Sequence, residues 1–336
     1  MTATQKNKSV AVLGAGSWGT ALAILLARNG ADTYLWGHDS ARMARMAHER
    51  QNGVYLPGIE FPASLSIRED LAELASEIER FLVVVPSHAF RQTLKAIKPS
   101  LTANTEIAWA TKGLEPKTHK FLSQVIEEEL GANVRTAIVS GPTFAREVAQ
   151  NLPTAVTAAS VDEAVAEEVA NWLRNDRFRV YTSTDVTGVQ LGGAIKNVIA
   201  IAAGISDGLG FGANARVALI TRGLAELTRL GTVIGGQPET FMGLAGVGDL
   251  ILTCTDDQSR NRRVGIALGQ GRKLVEILGE IGQEAEGVNT ARELLTLAQE
   301  NGIDMPITEQ TARVLVSECS PHEAVEALLS REPKAE

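Results

Sequence analysis

The chain has few of the features that mark a secreted scaffold or a metalloprotein. Only two cysteines, Cys254 and Cys319, occur in 336 residues, with no C-x-x-C pair. That excludes a disulfide framework and fits a reducing compartment, with both thiols reading as buried apolar fillers. The five histidines, at positions 38, 48, 88, 119 and 322, show no H-x-x-x-H spacing, so no metal is expected. No run of about 18 uncharged apolar residues is present, and residues 1–9 are polar with no apolar core of signal length. Neither export nor membrane insertion is expected, and the chain reads as cytoplasmic. Positive charge is not in excess either. A net charge of -8 speaks against nucleic acid and anionic membrane as partners, so any phosphate site must be local.

What is present is the balance of a packed globular enzyme, 44% hydrophobic and 21% charged, at a length that favours two domains over one. Short apolar, β-branched runs at 9–13, 33–36, 81–85, 107–110, 136–139 and 155–157 predict strands, and most are followed by an amphipathic segment. Such alternation predicts a doubly wound parallel sheet, an α/β Rossmann-type fold. Phe81-Leu82-Val83-Val84-Val85 is apolar throughout, as a central parallel strand covered on both faces requires. In open α/β sheets the carboxyl ends of the strands line the ligand crevice, which makes residues 14–19, 37–39, 86–88, 111–113 and 140–143 site candidates. Beyond about Val186 the strand pattern stops, and helices are predicted over 189–203, 215–230, 262–268, 291–300 and 307–317. No proline-rich linker divides the halves. The change of pattern alone sets a dinucleotide-binding domain at 1–187 and an all-helical domain at 188–336.

Gly14-Ala15-Gly16-Ser17-Trp18-Gly19 follows the first strand and opens a helix, the context that makes G-x-G-x-x-G a dinucleotide fingerprint. Gly14 allows the tight turn, Gly16 the approach of a pyrophosphate, and Gly19 close packing of helix on strand; the helix N–H groups meet the anion. Ser17 and Trp18 face the phosphates or the nicotinamide. Gly243-x-x-Gly246-x-Gly248 is also glycine-rich, but it follows no strand and reads as a site of close helix packing. The choice of cofactor depends on the residues after the second strand, Gly37-His38-Asp39. His38 can meet the 2'-phosphate of NADP(H), whereas Asp39 has about the spacing of an acid that binds the ribose hydroxyl of NAD(H). NADP(H) is the preferred reading.

Lys196 lies in the otherwise uncharged predicted helix 189–203, where an unpaired ammonium is costly to bury. Gly192 and Gly193, one turn before it, leave room for a small substrate or for close-packed backbone. A desolvated lysine has a lowered pKa that suits proton exchange with an alcohol; the bland alternative is a side chain that snorkels to water. Asp249, set between apolar runs, also requires a cation and is expected to hold Lys196. Ser259-Arg260-Asn261-Arg262-Arg263 begins a predicted helix and reads either as a phosphate grip or as a solvated basic helix start. Lys112, just past a strand, can polarise a carbonyl or steady phosphate charge, and His88 reads as a general acid or as a helix cap.

The segments Val83-Val84-Val85-Pro86-Ser87-His88, Trp109-Ala110-Thr111-Lys112-Gly113-Leu114 and Ser140-Gly141-Pro142-Thr143-Phe144-Ala145 resemble bacterial NAD(P)-dependent glycerol-3-phosphate dehydrogenase. So do Gly192-Gly193-Ala194-Ile195-Lys196-Asn197-Val198, Gly246-Val247-Gly248-Asp249-Leu250 and Thr253-Cys254-Thr255-Asp256-Asp257-Gln258-Ser259-Arg260-Asn261-Arg262. The resemblance implies a Rossmann-type domain followed by a helical one, a homodimer, and interconversion of dihydroxyacetone phosphate and sn-glycerol 3-phosphate for phospholipid synthesis. It implies that Lys196 exchanges the proton at the substrate oxygen, with Lys112, Gly141, Thr143, Asp249, Ser259, Arg260 and Asn261 around the substrate. Ser17, Trp18, His38, Lys112, Ala145, Arg260, Glu284 and Glu286 are implied to contact the cofactor, Glu284 through its backbone.

Two other readings stay open on the sequence alone. A β-hydroxyacid dehydrogenase also joins a Rossmann domain to helices carrying a lysine, but it has no use for the Ser259 to Arg263 cations. A nicotinamide-sensing regulator needs the fold but not Lys196, Lys112 and a phosphate grip together.

Overall fold

The computed structural model describes residues 9–332, so the polar segment before Ser9 lies outside the described residues. Contacts divide the chain into two compact units. One runs to Thr111 and resumes over Leu122–Val186; the other joins Lys112–Phe121 to the chain from Thr187 onward.

The first unit is built on one eight-stranded sheet in the order β3-β2-β1-β4-β5-β6-β7-β8. The strands are β1 Val10–Leu13, β2 Thr33–Trp36, β3 Leu65–Arg68, β4 Arg80–Val83, β5 Glu106–Trp109, β6 Arg135–Ser140, β7 Thr154–Ala159 and β8 Phe178–Ser183. β1 is buried at every position and pairs in parallel with β2 (Val10 opposite Thr33) and with β4 (Ala11 opposite Phe81). The order 3-2-1-4-5-6 is the doubly wound one, which reverses at β1 and opens a crevice at the carboxyl ends of the strands.

The sheet is not parallel throughout, as the sequence reading had it. β7 runs antiparallel to β6, with Ser140 opposite Thr157. The connection between them holds only the short Ala145–Ala149 helix and a turn at Asn151 with φ 61°, with no helix of the length that covers the other crossovers. β3 and β8 had no expected counterpart. β3 is a four-residue edge strand, and β8 alternates buried Phe178 and Val180 with exposed Arg179 and Tyr181, so each presents little apolar surface.

Helix Ser17–Arg28 is buried at every position from Gly19 to Ala27 and is the centre of this unit's core. Each large side chain there, such as Leu22 or Ile24, stabilises the fold by about 2 kcal/mol through removal from water. The helix stops at Gly30, whose φ of 88° lets the Gly30 and Ala31 N–H groups donate to the carbonyls of Ala27 and Leu26.

The second unit is helical. Its axis is Val186–Gly208, buried from Gly188 to Ser206; by length and composition this helix could cross a membrane, but it is wholly buried as a core helix. Around it lie Gly212–Val233, Arg260–Gly269, Glu286–Glu300 and Pro306–Leu315. Helix Arg260–Gly269 crosses the axis at backbone contact: a Cβ on Gly204 would stand 2.2 Å from the Arg262 carbonyl, and one on Gly265 2.0 Å from that of Ile201. Cys254 is a buried filler as expected, but Cys319 is only half-buried.

Candidate active site

The glycine turn in the first unit has a separate reason for each glycine. Gly14 has φ 125°, donates its N–H to the Trp36 carbonyl at 2.8 Å, and would place a Cβ 2.6 Å from the Val84 carbonyl oxygen. A Cβ on Gly19 would lie 1.9 Å from the Gly14 carbonyl. Gly16 differs, because a Cβ there would meet nothing within 4 Å. Its bare backbone stands before the first turn of helix Ser17–Arg28, where Gly16 is the N-cap and offers no side-chain cap. An open, uncapped helix N-terminus fits a pyrophosphate, so the residues present suit a dinucleotide. Asn52 pins the turn from a loop, its wholly buried amide donating to the Ala15 carbonyl at 3.1 Å and to Thr20 Oγ1 at 2.8 Å. Sequence reasoning missed Asn52, since a loop asparagine carries no such signal. Trp18 packs on the core with its Nε1 buried and unpaired among the described atoms.

At the tip of β2, His38 is exposed, while Asp39 is the N-cap of helix Ser40–Glu49 and accepts from Arg42 N at 3.0 Å. That hydrogen bond, helped by the charges of Arg42, His38 and Arg45, holds the Asp39 carboxyl below its usual range. The Arg42 guanidinium lies over the Tyr55 ring, 4.7 Å from its centroid. Gly141, Thr143 and Ala145 also lie in this unit, after β6; Gly141 has φ 150° and packs against Val156, and Thr143 Oγ1 donates to the Gly141 carbonyl at 3.2 Å. His88 is exposed in the first turn of helix Ser87–Ile97.

In the second unit, two lysines share one carboxylate. Asp249, with 0% exposure, accepts from Lys196 Nζ on Oδ1 at 2.5 Å and from Lys112 Nζ on Oδ2 at 2.7 Å. Lys196 also donates to Thr253 Oγ1 at 3.0 Å, and that hydroxyl donates to the Asp249 carbonyl at 2.6 Å. The expected pairing of Asp249 with Lys196 is therefore present, and a solvated lysine is excluded: Lys196 is 6% exposed. Lys112 on the second oxygen, and Thr253, were not expected there.

Local backbone brings these groups together. Residues Leu244–Gly248 form a π turn that leads into helix Asp249–Thr255, and a Cβ on Gly192 would fall 2.1 Å from the Ala245 carbonyl. The missing side chain thus makes room for backbone, one of the two uses foreseen for it, and sets the π turn against the helix that carries Lys196. Interruptions of this kind recur at functional sites.

The electrostatics follow from the count of charges. Two ammoniums against one buried carboxylate leave one surplus positive charge in low dielectric. Burial brings the Lys196 pKa down to about 7 against the pull of Asp249, and Lys112 pushes in the same direction as burial. An anionic ligand would relieve the same surplus.

Of the basic cluster, Ser259 is the N-cap of helix Arg260–Gly269, accepting from Arg262 N at 3.2 Å. Arg262 is buried and committed to the Cys254 carbonyl, Asp257 and Asp207, whereas Arg263 is exposed; these cations do not converge. Asn261 donates to Asn197 Oδ1 at 3.0 Å and accepts from Gly287 N at 3.0 Å, which fixes it on the residue that follows Lys196 in sequence. Arg260 reaches Gln283 Oε1 at 3.4 Å, and Glu284 accepts from Asn289 at 3.2 Å beside half-buried Glu286.

The family model for the N-terminus of NAD-dependent glycerol-3-phosphate dehydrogenase matches residues 9–166, and that for its C-terminus matches residues 185–326. The chain is 56% identical over 331 residues to glycerol-3-phosphate dehydrogenase (NAD(P)+) of Pseudoalteromonas translucida, covering 98% of this chain and 99% of that one. Identity to the Pasteurella multocida enzyme of the same name is 54% over 337 residues and the whole of both chains. The crystal structure of glycerol-3-phosphate dehydrogenase from Coxiella burnetii superposes with a TM-score of 0.94 at 48% identity, covering 97% of this chain and 99% of that one. With an open helix N-terminus after β1 and two lysines on the buried carboxylate of Asp249, the chain belongs to the NAD-dependent glycerol-3-phosphate dehydrogenase family.

Proposed function

We propose that this protein interconverts dihydroxyacetone phosphate and sn-glycerol 3-phosphate with NAD(P)(H), the first unit binding the dinucleotide and the second the phosphorylated triose. The carrying observation is the sharing of Asp249 by Lys196 and Lys112 at 2.5 and 2.7 Å. Bound reduced nicotinamide supplies a hydride to the substrate carbonyl carbon. Lys196 gives the proton to the carbonyl oxygen, and its pKa of about 7 lets it release and regain that proton at neutral pH. Asp249 holds the ammonium in place, and once Lys196 is neutral the carboxylate stays balanced by Lys112, which also faces the charge that develops on oxygen. Arg260 and Asn261, with the N–H groups of the helix that Ser259 caps, take the phosphate. Gly141 and Thr143 complete the substrate set; Gly14, Gly16, Ser17, Trp18, Gly19, His38, Ala145, Glu284 and Glu286 serve the cofactor.

NADP(H) is the preferred cofactor in this reading. The His38 imidazole and the stacked Arg42 guanidinium offer hydrogen-bond donors to a 2'-phosphate at the tip of β2, and Asp39 is already engaged by the Arg42 N–H. We also read the enzyme as a cytoplasmic homodimer that supplies the glycerol backbone of phospholipids. The test is to follow reduced-nicotinamide absorbance with dihydroxyacetone phosphate, with a panel of keto acids and with no substrate, for both cofactors. Oxidation with keto acids but not with the triose phosphate overturns the reading.

A further inference from the structure

Lys112 does not reach Asp249 from a strand or a helix. It begins the segment Lys112–Phe121, which packs with the second unit although the chain on either side belongs to the first. The segment is a closed strap: Glu115 N donates to the Lys120 carbonyl at 2.9 Å, His119 N to the Glu115 carbonyl at 3.1 Å, and Thr118 Oγ1 to Glu115 Oε2 at 2.6 Å. Leu114 is buried in the helical core and Phe121 packs against it. Two residues of the strap, Lys117 and His119, hold φ values of 72° and 58°, left-handed backbone that non-glycine residues keep only when the surroundings enforce it.

Both strained residues are engaged by one group. Glu293, a buried acid in the middle of helix Glu286–Glu300, accepts from Lys117 N on Oε1 at 3.5 Å, and its Oε2 lies against His119 Nδ1 without hydrogen-bond geometry, both atoms being buried. The same helix donates its Gly287 N–H to Asn261. We infer that Glu293 is a positioning residue: it latches the tip of the strap and so fixes the distance at which Lys112 stands on Asp249. The inference rests on the reading of Lys112 as part of the substrate site.

Glu293→Ala is expected to lower kcat/KM for dihydroxyacetone phosphate on the order of tenfold, because small displacements of a reacting group are costly. Glu293→Gln keeps an acceptor for the Lys117 N–H and recovers most of the loss. In a Lys112→Ala background the Glu293→Ala loss disappears, which a role in general stability would not produce. If Glu293→Ala does not fold, His119→Ala, whose side chain is partly exposed, reads the latch from the other side and is expected to show the same loss and the same dependence on Lys112. Losses that multiply in the double variant, or wild-type kcat/KM in Glu293→Ala while Lys112→Ala is impaired, overturn the latch alone. Wild-type activity in Lys112→Ala overturns the assignment of Lys112 and the latch with it.

Discussion

Asp249 Oδ1 and Lys196 Nζ stand 2.5 Å apart with the carboxylate wholly buried, so the lysine can change charge without leaving its place. Lys196→Ala removes the proton donor and none of the dinucleotide turn. Turnover should fall to background in steady-state assays while NADPH affinity by fluorescence titration is little changed. Unchanged turnover would falsify the assignment.

The reduction uses the protonated lysine, so kcat/KM should decline as pH rises through about 7, the value to which burial brings Lys196. Asp249→Asn removes the anion that raises that value. The alkaline limb should then move to lower pH and the maximal rate should fall; a profile that keeps its limb in place would show that another group is titrating.

Cofactor choice is tested at the tip of β2. Exchanging His38 or Arg42 for alanine should raise KM for NADPH more than KM for NADH, through loss of donors facing the 2'-phosphate. Equal effects on both cofactors would remove these side chains from the selection.

Stability should depend on pH through Glu226. Its buried carboxylate accepts from Ile307 N at 2.6 Å and from Thr308 N at 3.2 Å and Thr308 Oγ1 at 2.9 Å, yet burial outweighs these donors and raises its pKa to about 7 from an ordinary 4.5. A raised value means that the folded protein binds this proton more tightly than the unfolded chain does. The contribution is full below pH 4.5 and is lost as pH rises through about 7. Comparing denaturant midpoints at pH 6 and pH 8 should show a smaller difference in Glu226→Gln than in the unaltered protein.

The backbone crossing of the two helices gives a packing test. Gly265→Ala would drive a Cβ to 2.0 Å from the Ile201 carbonyl, so the helices must part, at a cost of about 1–3 kcal/mol. A melting temperature equal to that of the unaltered protein would mean that the crossing yields without strain.

The parts of the fold that were legible in the sequence are those in which local pattern and tertiary role coincide. Val10–Leu13 is apolar throughout because it is central in the sheet, and Gly14 and Gly19 are glycines because nothing larger fits. The direction of β7 was not legible, since alternation of side chains does not encode strand polarity. In the site, Lys196 and Asp249 could be paired in advance because buried charges need partners. Lys112, 137 residues from Asp249, had no such pointer, and Asn52, Thr253 and Glu293 are polar residues whose default reading is a solvated surface.

The strap has a bearing on how the gene can be divided. Because the chain passes between the units at Thr111/Lys112, at Phe121/Leu122 and again at Val186/Thr187, no single cut yields both as intact fragments. Stopping translation at Val186 strands Leu114 and Phe121 without the helices that bury them, and the complementary fragment lacks one of the two ammoniums that share Asp249. Transplanting the helical half onto another nucleotide-binding scaffold therefore means carrying an internal ten-residue graft with it.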